Sequence, residues 1–195
     1  MQSTRLVAVI GRSAMSGTEG VVTPLEGVPS GRWDPEAVID APLRLHRCTV
    51  VPGWVDYNGH MSESCYLLVV GDNADAFFRY VGIDESYRSA GHSLYTAETH
   101  LHHRREAPLG ASLSLTLQLL DHDDTRLHLF HQLQHAETGA VLASAEQLLV
   151  HVDTAAGRSC PMPEDLRERV GAVAAAHAQL PTPAVVGRPM GIRRG

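Results

Sequence analysis

The stretch SESCYLLVVGDNADAFFRYV, residues 62–81, decides how the rest of the chain is read. Within it Tyr66, Val69, Val70, Ala74, Phe77, Phe78 and Val81 recur at spacings of three and four, which predicts an α-helix with a broad buried face. Ser62 or Ser64 is placed to cap its start. Gly71 weakens a helix by up to about 1 kcal/mol, so close packing against a neighbouring backbone is the expected reason for it.

Outward from this helix the periodicity changes. On its N-terminal side, residues 45–51 read as a strand that Pro52-Gly53 ends. On its C-terminal side residues 93–104 form a strand candidate, followed by a segment in which Leu113, Leu115, Leu117 and Leu119 alternate with polar residues. Residues 126–135 come next, with Leu127, Leu129, His131 and Leu133 on one face. Thr138-Gly139 supplies a hairpin turn into residues 141–152. One strand, one long helix and a run of antiparallel strands imply an α+β domain, a sheet wrapped on a buried helix. Its expected bounds are 43–154. Residues 1–42, rich in Gly, Ser, Thr and Pro, read as an N-terminal extension of uncertain order. Residues 155–195 read as a second extension, in which Pro163-Glu164-Asp165 starts a short helix carrying Leu166, Val170 and Val173, expected to be peripheral.

Composition narrows the partners. A formal charge of -6 with 44% hydrophobic and 19% charged residues describes a soluble globular protein and argues against nucleic acid as a partner. Local Arg and His still suit a small anionic ligand. The three cysteines, Cys48, Cys65 and Cys160, form no CxxC pair and point to a reducing compartment. Residues 6–10 are too short an apolar run for a signal peptide or a membrane span, so the expected location is the cytoplasm.

Between the first strand and the helix lies Trp54-Val55-Asp56-Tyr57-Asn58-Gly59-His60-Met61, the densest group of catalytic residue types in the chain. Free N–H groups and the positive end of a helix dipole at such a junction stabilise an oxyanion. A carboxylate at Asp56 is then available as nucleophile or general base. The same residues have plainer readings: Asp56 as N-cap or Asx turn, Asn58-Gly59 as a turn dipeptide, His60 as a loop histidine. Of His100, His102 and His103, alternation places only the first two on one face, and no familiar ligand pattern completes them, so no metal site is expected. Glu146, inside an apolar strand, is either a functional acid or an outward-facing one.

Asp56, Gly59 three residues later and Tyr66 ten residues later resemble the signature of the 4-hydroxybenzoyl-CoA thioesterase-like branch of the hot-dog superfamily. The longer strings WVDYNGHMSESCYL, GHSLYTAETH and TRLHLFHQL are similar to those of the betainyl-CoA thioesterases of bacterial carnitine breakdown, over roughly residues 44–153. The resemblance implies a hot-dog fold, a homodimer or higher homo-oligomer, an acyl-CoA substrate and no cofactor. It implies Asp56 as the catalytic carboxylate with Asn58 and His60 as second catalytic groups. The N–H groups of Met61, Ser62 and Glu63 become oxyanion donors. Trp54, Tyr57, Tyr66, Tyr95 and Glu98 become substrate contacts, with Tyr66 also read as the start of the helix's apolar stripe. Arg104 and Arg105 become contacts for coenzyme A phosphates. Two rivals share the fold. An enoyl-CoA hydratase of this kind needs a His five residues after its Asp, where this chain has Met61. A non-catalytic ligand-binding or assembly module needs no Asp56, Gly59 and Tyr66 set at all.

Overall fold

Alternating leucines build the central strands of this chain, and the apolar stripe of residues 63–81 gives them a surface to wrap. The computed structural model describes residues 33–192. In chain order it has β1 (Leu43–Thr49), a single 3-10 turn (Pro52–Trp54), α1 (Glu63–Val81), α2 (Glu85–Ser89), β2 (His92–His103), β3 (Ser112–His122), β4 (Arg126–His135), β5 (Val141–Asp153), β6 (Arg158–Ser159) and α3 (Glu164–His177). The strands form one antiparallel sheet in the order β1-β3-β4-β5-β2, with β6 beside the end of β5. This is the α+β architecture read from the sequence, with strand ends shifted by one or two residues. β1, for instance, stops before Val50, yet the Val50 N–H still donates to the Ala111 carbonyl at 3.0 Å.

The inner face of the sheet and the stripe on α1 form one continuous interior. Phe77 and Val81 meet Leu117, Leu127, Leu129 and Leu149 at one end of the helix. Tyr66 and Val69 meet Leu113, Leu115, Leu133 and Ala143 at the other. Each such aliphatic or aromatic side chain, buried, contributes about 1.5–3 kcal/mol relative to exposure. Gly82, at φ 96°, ends α1 in the left-handed conformation that spares glycine a steric penalty. The Ile83 N–H reaches back to the Phe78 carbonyl at 2.7 Å, and Ile83 is buried.

Two expectations are corrected. The helix of the C-terminal extension is not peripheral: Leu166, Val170 and Val173 of α3 are buried in the same interior as Phe77, Val81, Leu117 and Leu119. Trp33 packs edge-on against Tyr80, and the His177 ring bonds both the Leu119 N–H and the Asp40 carbonyl, so both flanks of the strand-rich region contribute to its core. Gly71 is not explained by close packing, because a Cβ there would meet nothing within 4 Å. Ser62 does hold the N-cap position of α1, but its hydroxyl lies 3.4 Å from that of Ser64 and caps no helix N–H.

One polar pair interrupts the apolar interior. Asn73 of α1 donates its side-chain amide to Nδ1 of His131 at 2.9 Å, and both residues are fully buried. His131 sits on the leucine face of β4, as alternation requires. Burial pushes its imidazole down from 6.5 to about 4, with a smaller upward pull from Gln147. The unfolded chain therefore takes up the proton first as pH falls, and His131 costs the fold stability progressively from about pH 6.5 to about pH 4, on the order of 3 kcal/mol in all. Asp72, raised from 3.8 to about 6 by burial and then by Asp75, works in the opposite direction but is common to wild type and variant. The stability advantage of wild type over His131→Gln should shrink steadily between pH 7 and pH 4 in urea unfolding; a difference independent of pH would overturn the assignment.

Candidate active site

The loop between β1 and α1 is stitched to itself before it enters the helix. Val55 bridges Met61, the Asp56 N–H donates to the His60 carbonyl at 3.0 Å, and the Ser62 N–H donates to the Trp54 carbonyl at 2.8 Å. Gly59, at φ 81°, makes the reversal between these arms, and its N–H returns to the Asp56 carbonyl at 3.0 Å. A second set of bonds fixes the loop to the β2–β3 connection. His60 bridges Pro108, the Met61 N–H donates to the Ala107 carbonyl at 2.9 Å, and the Tyr66 hydroxyl donates to the Arg105 carbonyl at 3.2 Å.

Within this frame Asp56 is half-buried. Its Oδ1 accepts the Asn58 N–H at 2.8 Å, while Oδ2 accepts nothing from the described residues. The Asx turn and the catalytic reading are thus compatible, since one oxygen shapes the loop and the other is left for chemistry. His60 lies with Nε2 3.4 Å from Oε2 of Glu106, a partner that the sequence gave no periodic signal to find. Asn58 is exposed and is tied in through its backbone.

Two of the three expected oxyanion donors are corrected. The Met61 and Ser62 N–H groups are committed to the Ala107 and Trp54 carbonyls. Glu63, the third, begins α1, and its N–H together with that of Ser64 donates to no group among the described residues. Such uncommitted N–H groups in a first helical turn are anion-stabilising by partial charge and by dipole. The role of Ser64 here is that of its backbone and not of its hydroxyl, which residue type alone does not signal.

The expected substrate contacts fall into separate groups. Tyr57 stands in the loop and is 97% exposed. Trp54 is 6% exposed among Val50, Met61 and Tyr66, so its ring is core and not a binding face, a second correction. Tyr66 is buried, with its ring edge-on to His103 at 4.8 Å, and acts as the strut between α1 and the end of β2. Arg104 and Arg105 are exposed beside the loop, their N–H groups held by the Leu142 carbonyl, and their guanidinium groups meet no acidic partner among the described residues. Tyr95 and Glu98 lie farther back along β2: five residue steps from Glu98 to His103 span roughly 17 Å. Within one chain they are not brought to Asp56.

The outer face of the sheet is occupied differently. Glu98 pairs with His100 at 2.7 Å, His128 with Glu146 at 2.7 Å, and these residues border a cavity of about 370 Å³. Burial opposes ionisation of Glu146, but the Gly187 N–H and the His128 ring outweigh it and hold the carboxyl below its ordinary range. Glu146 therefore anchors the segment around Gly187 to the sheet. His103 turns to the opposite face from His100 and His102, against Tyr66.

A family described as the Thioesterase-like superfamily matches residues 50–170, a span that runs into α3. An L-carnitine dehydrogenase/betainyl-CoA thioesterase of Rhizobium meliloti (strain 1021) is 46% identical over 162 residues, which are 82% of this chain and 33% of that protein. The chain thus spans about a third of that relative's length. The betainyl-CoA thioesterase of Pseudomonas aeruginosa is 43% identical over 151 residues, covering 77% of this chain and 95% of that one. A solved Staphylococcus aureus protein in complex with CoA superposes with a TM-score of 0.74 at 26% identity, over 80% of this chain and 99% of that one.

Proposed function

The chain belongs to the thioesterase-like superfamily, and from that premise we propose that it hydrolyses an acyl-CoA thioester, betainyl-CoA to betaine and CoA, at the loop of Asp56. The observation that carries this reading is the pairing of a half-buried carboxylate with one uncommitted oxygen and two uncommitted N–H groups at the start of the following helix. Either Asp56 takes a proton from a water molecule that adds to the thioester carbonyl, or its carboxylate adds directly and the mixed anhydride so formed is then cleaved by water to release the acid. The Glu63 and Ser64 N–H groups stabilise the oxyanion, and its collapse breaks the C–S bond and releases the CoA thiolate. His60, poised by Glu106, is the group placed to supply a proton to that sulfur. Residues 43–154 carry this machinery, with α3 completing the core. Arg104 and Arg105 are suited to the nucleotide phosphates of CoA because both are exposed and unpaired beside the same loop. The three cysteines are all free, in keeping with a reducing cytoplasm, and among the described residues no helix is long and apolar enough to cross a membrane.

The proposed substrate carries a trimethylammonium group, which donates no hydrogen bond and is best held by an aromatic face with a nearby carboxylate. Tyr57 and Glu63 meet that need from the loop and the first turn of α1, both exposed. Tyr95 and Glu98 meet it through a second copy of the chain. β2 bonds β5 along one edge only, and residues 95–98 are exposed in succession on both faces, as an unpartnered edge strand would be. Two-fold pairing of β2 with its copy runs the strands antiparallel and carries the partner's Tyr95 and the partner's Glu98 back towards the loop.

Three measurements test this reading. Asp56→Asn should lower thiol release from acyl-CoA by at least about a hundredfold with the fold intact, and His60→Gln by less; near-normal turnover in the Asp56 variant would remove the assigned carboxylate. Betainyl-CoA should exceed acetyl-CoA and butyryl-CoA in kcat/KM by at least about tenfold, roughly 1.4 kcal/mol of cation recognition in the transition state. Equal rates would leave the hydrolase and sink the choice of acyl group. Light scattering at micromolar concentration should give a dimer or a multiple of it, and a strict monomer would contradict the shared site.

A further inference from the structure

At the far end of β2 from Asp56, three side chains with metal-binding atoms converge. His92 is the first residue of β2, His151 lies near the end of β5, and Cys160 follows β6. Their placement is set by the ladder: Leu94 pairs with His151, His92 pairs with Asp153, and the Cys160 N–H donates to the His151 carbonyl at 3.1 Å. Cys160 Sγ lies 3.4 Å from Nδ1 of His151 and 3.9 Å from Nδ1 of His92, and the three ligand atoms lie within 4.8 Å of one another. The two imidazoles are stacked at 19° with centroids 5.6 Å apart, so both rings present an edge to the sulfur.

We propose that His92, His151 and Cys160 form a zinc-binding site, with solvent as the fourth ligand. Tetrahedral zinc with bonds of about 2.3 Å to sulfur and about 2.0 Å to nitrogen puts sulfur and nitrogen roughly 3.5 Å apart, close to both separations in this cluster. The donor set of one thiolate and two imidazoles suits a borderline-soft ion and not magnesium or calcium. The second ring nitrogen of His151 also has a hydrogen-bond partner that fixes the ring. The Tyr87 hydroxyl of α2 lies 2.6 Å from Nε2 of His151, whose ring is fully buried. His92 and Cys160 are half-exposed, which gives the ion an entry path and the fourth position to water.

Loading the site requires a defined movement of protons. Without metal, His151 donates from Nδ1 to the Cys160 carbonyl at 2.9 Å and accepts the Tyr87 hydroxyl proton bond at Nε2. With metal, the Nδ1–H bond to the Cys160 carbonyl is given up and Nδ1 gives its lone pair to the ion, the ring proton resides on Nε2 and is donated to the Tyr87 oxygen, and the Cys160 thiol releases its proton to solvent. The ion joins α2, the start of β2, the end of β5 and β6. Eleven residue steps along β2 separate His92 from His103, roughly 36 Å, so the role is structural and apart from the loop of Asp56.

The test uses the full chain, reduced and stripped of metal by a chelator, titrated anaerobically with Co²⁺ as a spectroscopic stand-in. One equivalent should saturate with the intense visible bands of a tetrahedral ion and a thiolate-to-cobalt charge-transfer band, and Zn²⁺ should displace both. Cys160→Ser should abolish the charge-transfer band, and His92→Ala should weaken binding at least about tenfold. His102→Ala, on the outer face of the same strand, should bind like wild type. Nitrogen NMR should show His151 passing from the Nδ1–H to the Nε2–H tautomer on zinc addition. Absence of saturable binding at micromolar Co²⁺, or a charge-transfer band that survives in Cys160→Ser, would overturn the site. Circular dichroism of the variants, whose altered side chains are half-exposed, separates loss of ligand from loss of fold.

Discussion

The burial of one stripe of α1 in the curl of the sheet is the constraint from which the rest follows. Phe77 and Val81 have no exposed surface against Leu117, Leu127, Leu129 and Leu149, which together outweigh any single loop hydrogen bond of about 1 kcal/mol. With the helix axis fixed in this way, both of its ends are fixed too. At the C-terminal end, the left-handed turn at Gly82 leaves room for the Arg169 guanidinium, which donates to the Val81 carbonyl and draws α3 onto the core. At the N-terminal end, Tyr66 ties the helix to Arg105, so the short loop carrying Asp56 is strung between β1 and a helix that cannot shift.

That arrangement explains how exposed, polar residues are held in place. Tyr57, Asn58 and Gly59 are exposed, yet the two arms of the loop are joined by backbone bonds that do not depend on what those side chains are. Positioning falls mainly to the backbone and to buried Trp54, Met61 and Tyr66, so that Asp56 spends one carboxylate oxygen on the loop and keeps the other uncommitted. The division is physically necessary, because a side chain that supports a fold by burial is withdrawn from solvent and ligand alike.

β2 carries the opposite compromise. It is the longest of the edge strands, bonded along one side, with a cluster of polar side chains at each end and an exposed middle. Its His103 end meets Tyr66 beside the Asp56 loop, while its His92 end meets His151, Tyr87 and Cys160. A strand can serve two distant sites because its length is set by ladder pairing with β5 and not by either site.

Much of the fold was legible because periodicity reports burial directly. The leucines of residues 113–119 and 127–133 and the stripe from Tyr66 to Val81 each place one face towards an interior, whatever that interior proves to be. Less legible were residues whose surroundings come from distant segments. Leu166, Val170 and Val173 had the right spacing, but only the packed structure shows that the sheet leaves a gap beside Phe77 for them. Trp54 has the residue type of a binding aromatic, and its burial comes from a core cluster that includes Met61, Tyr66 and Ala107. The residue types of the Asp56 loop were determined by the sequence alone, together with the sheet-and-helix plan that presents them. Which N–H groups remain free, which ring is hidden and which histidines meet Cys160 were decided by tertiary structure. The physical reason is that hydrogen-bond commitment and burial are properties of pairs of groups, and a linear pattern specifies only one member of each pair.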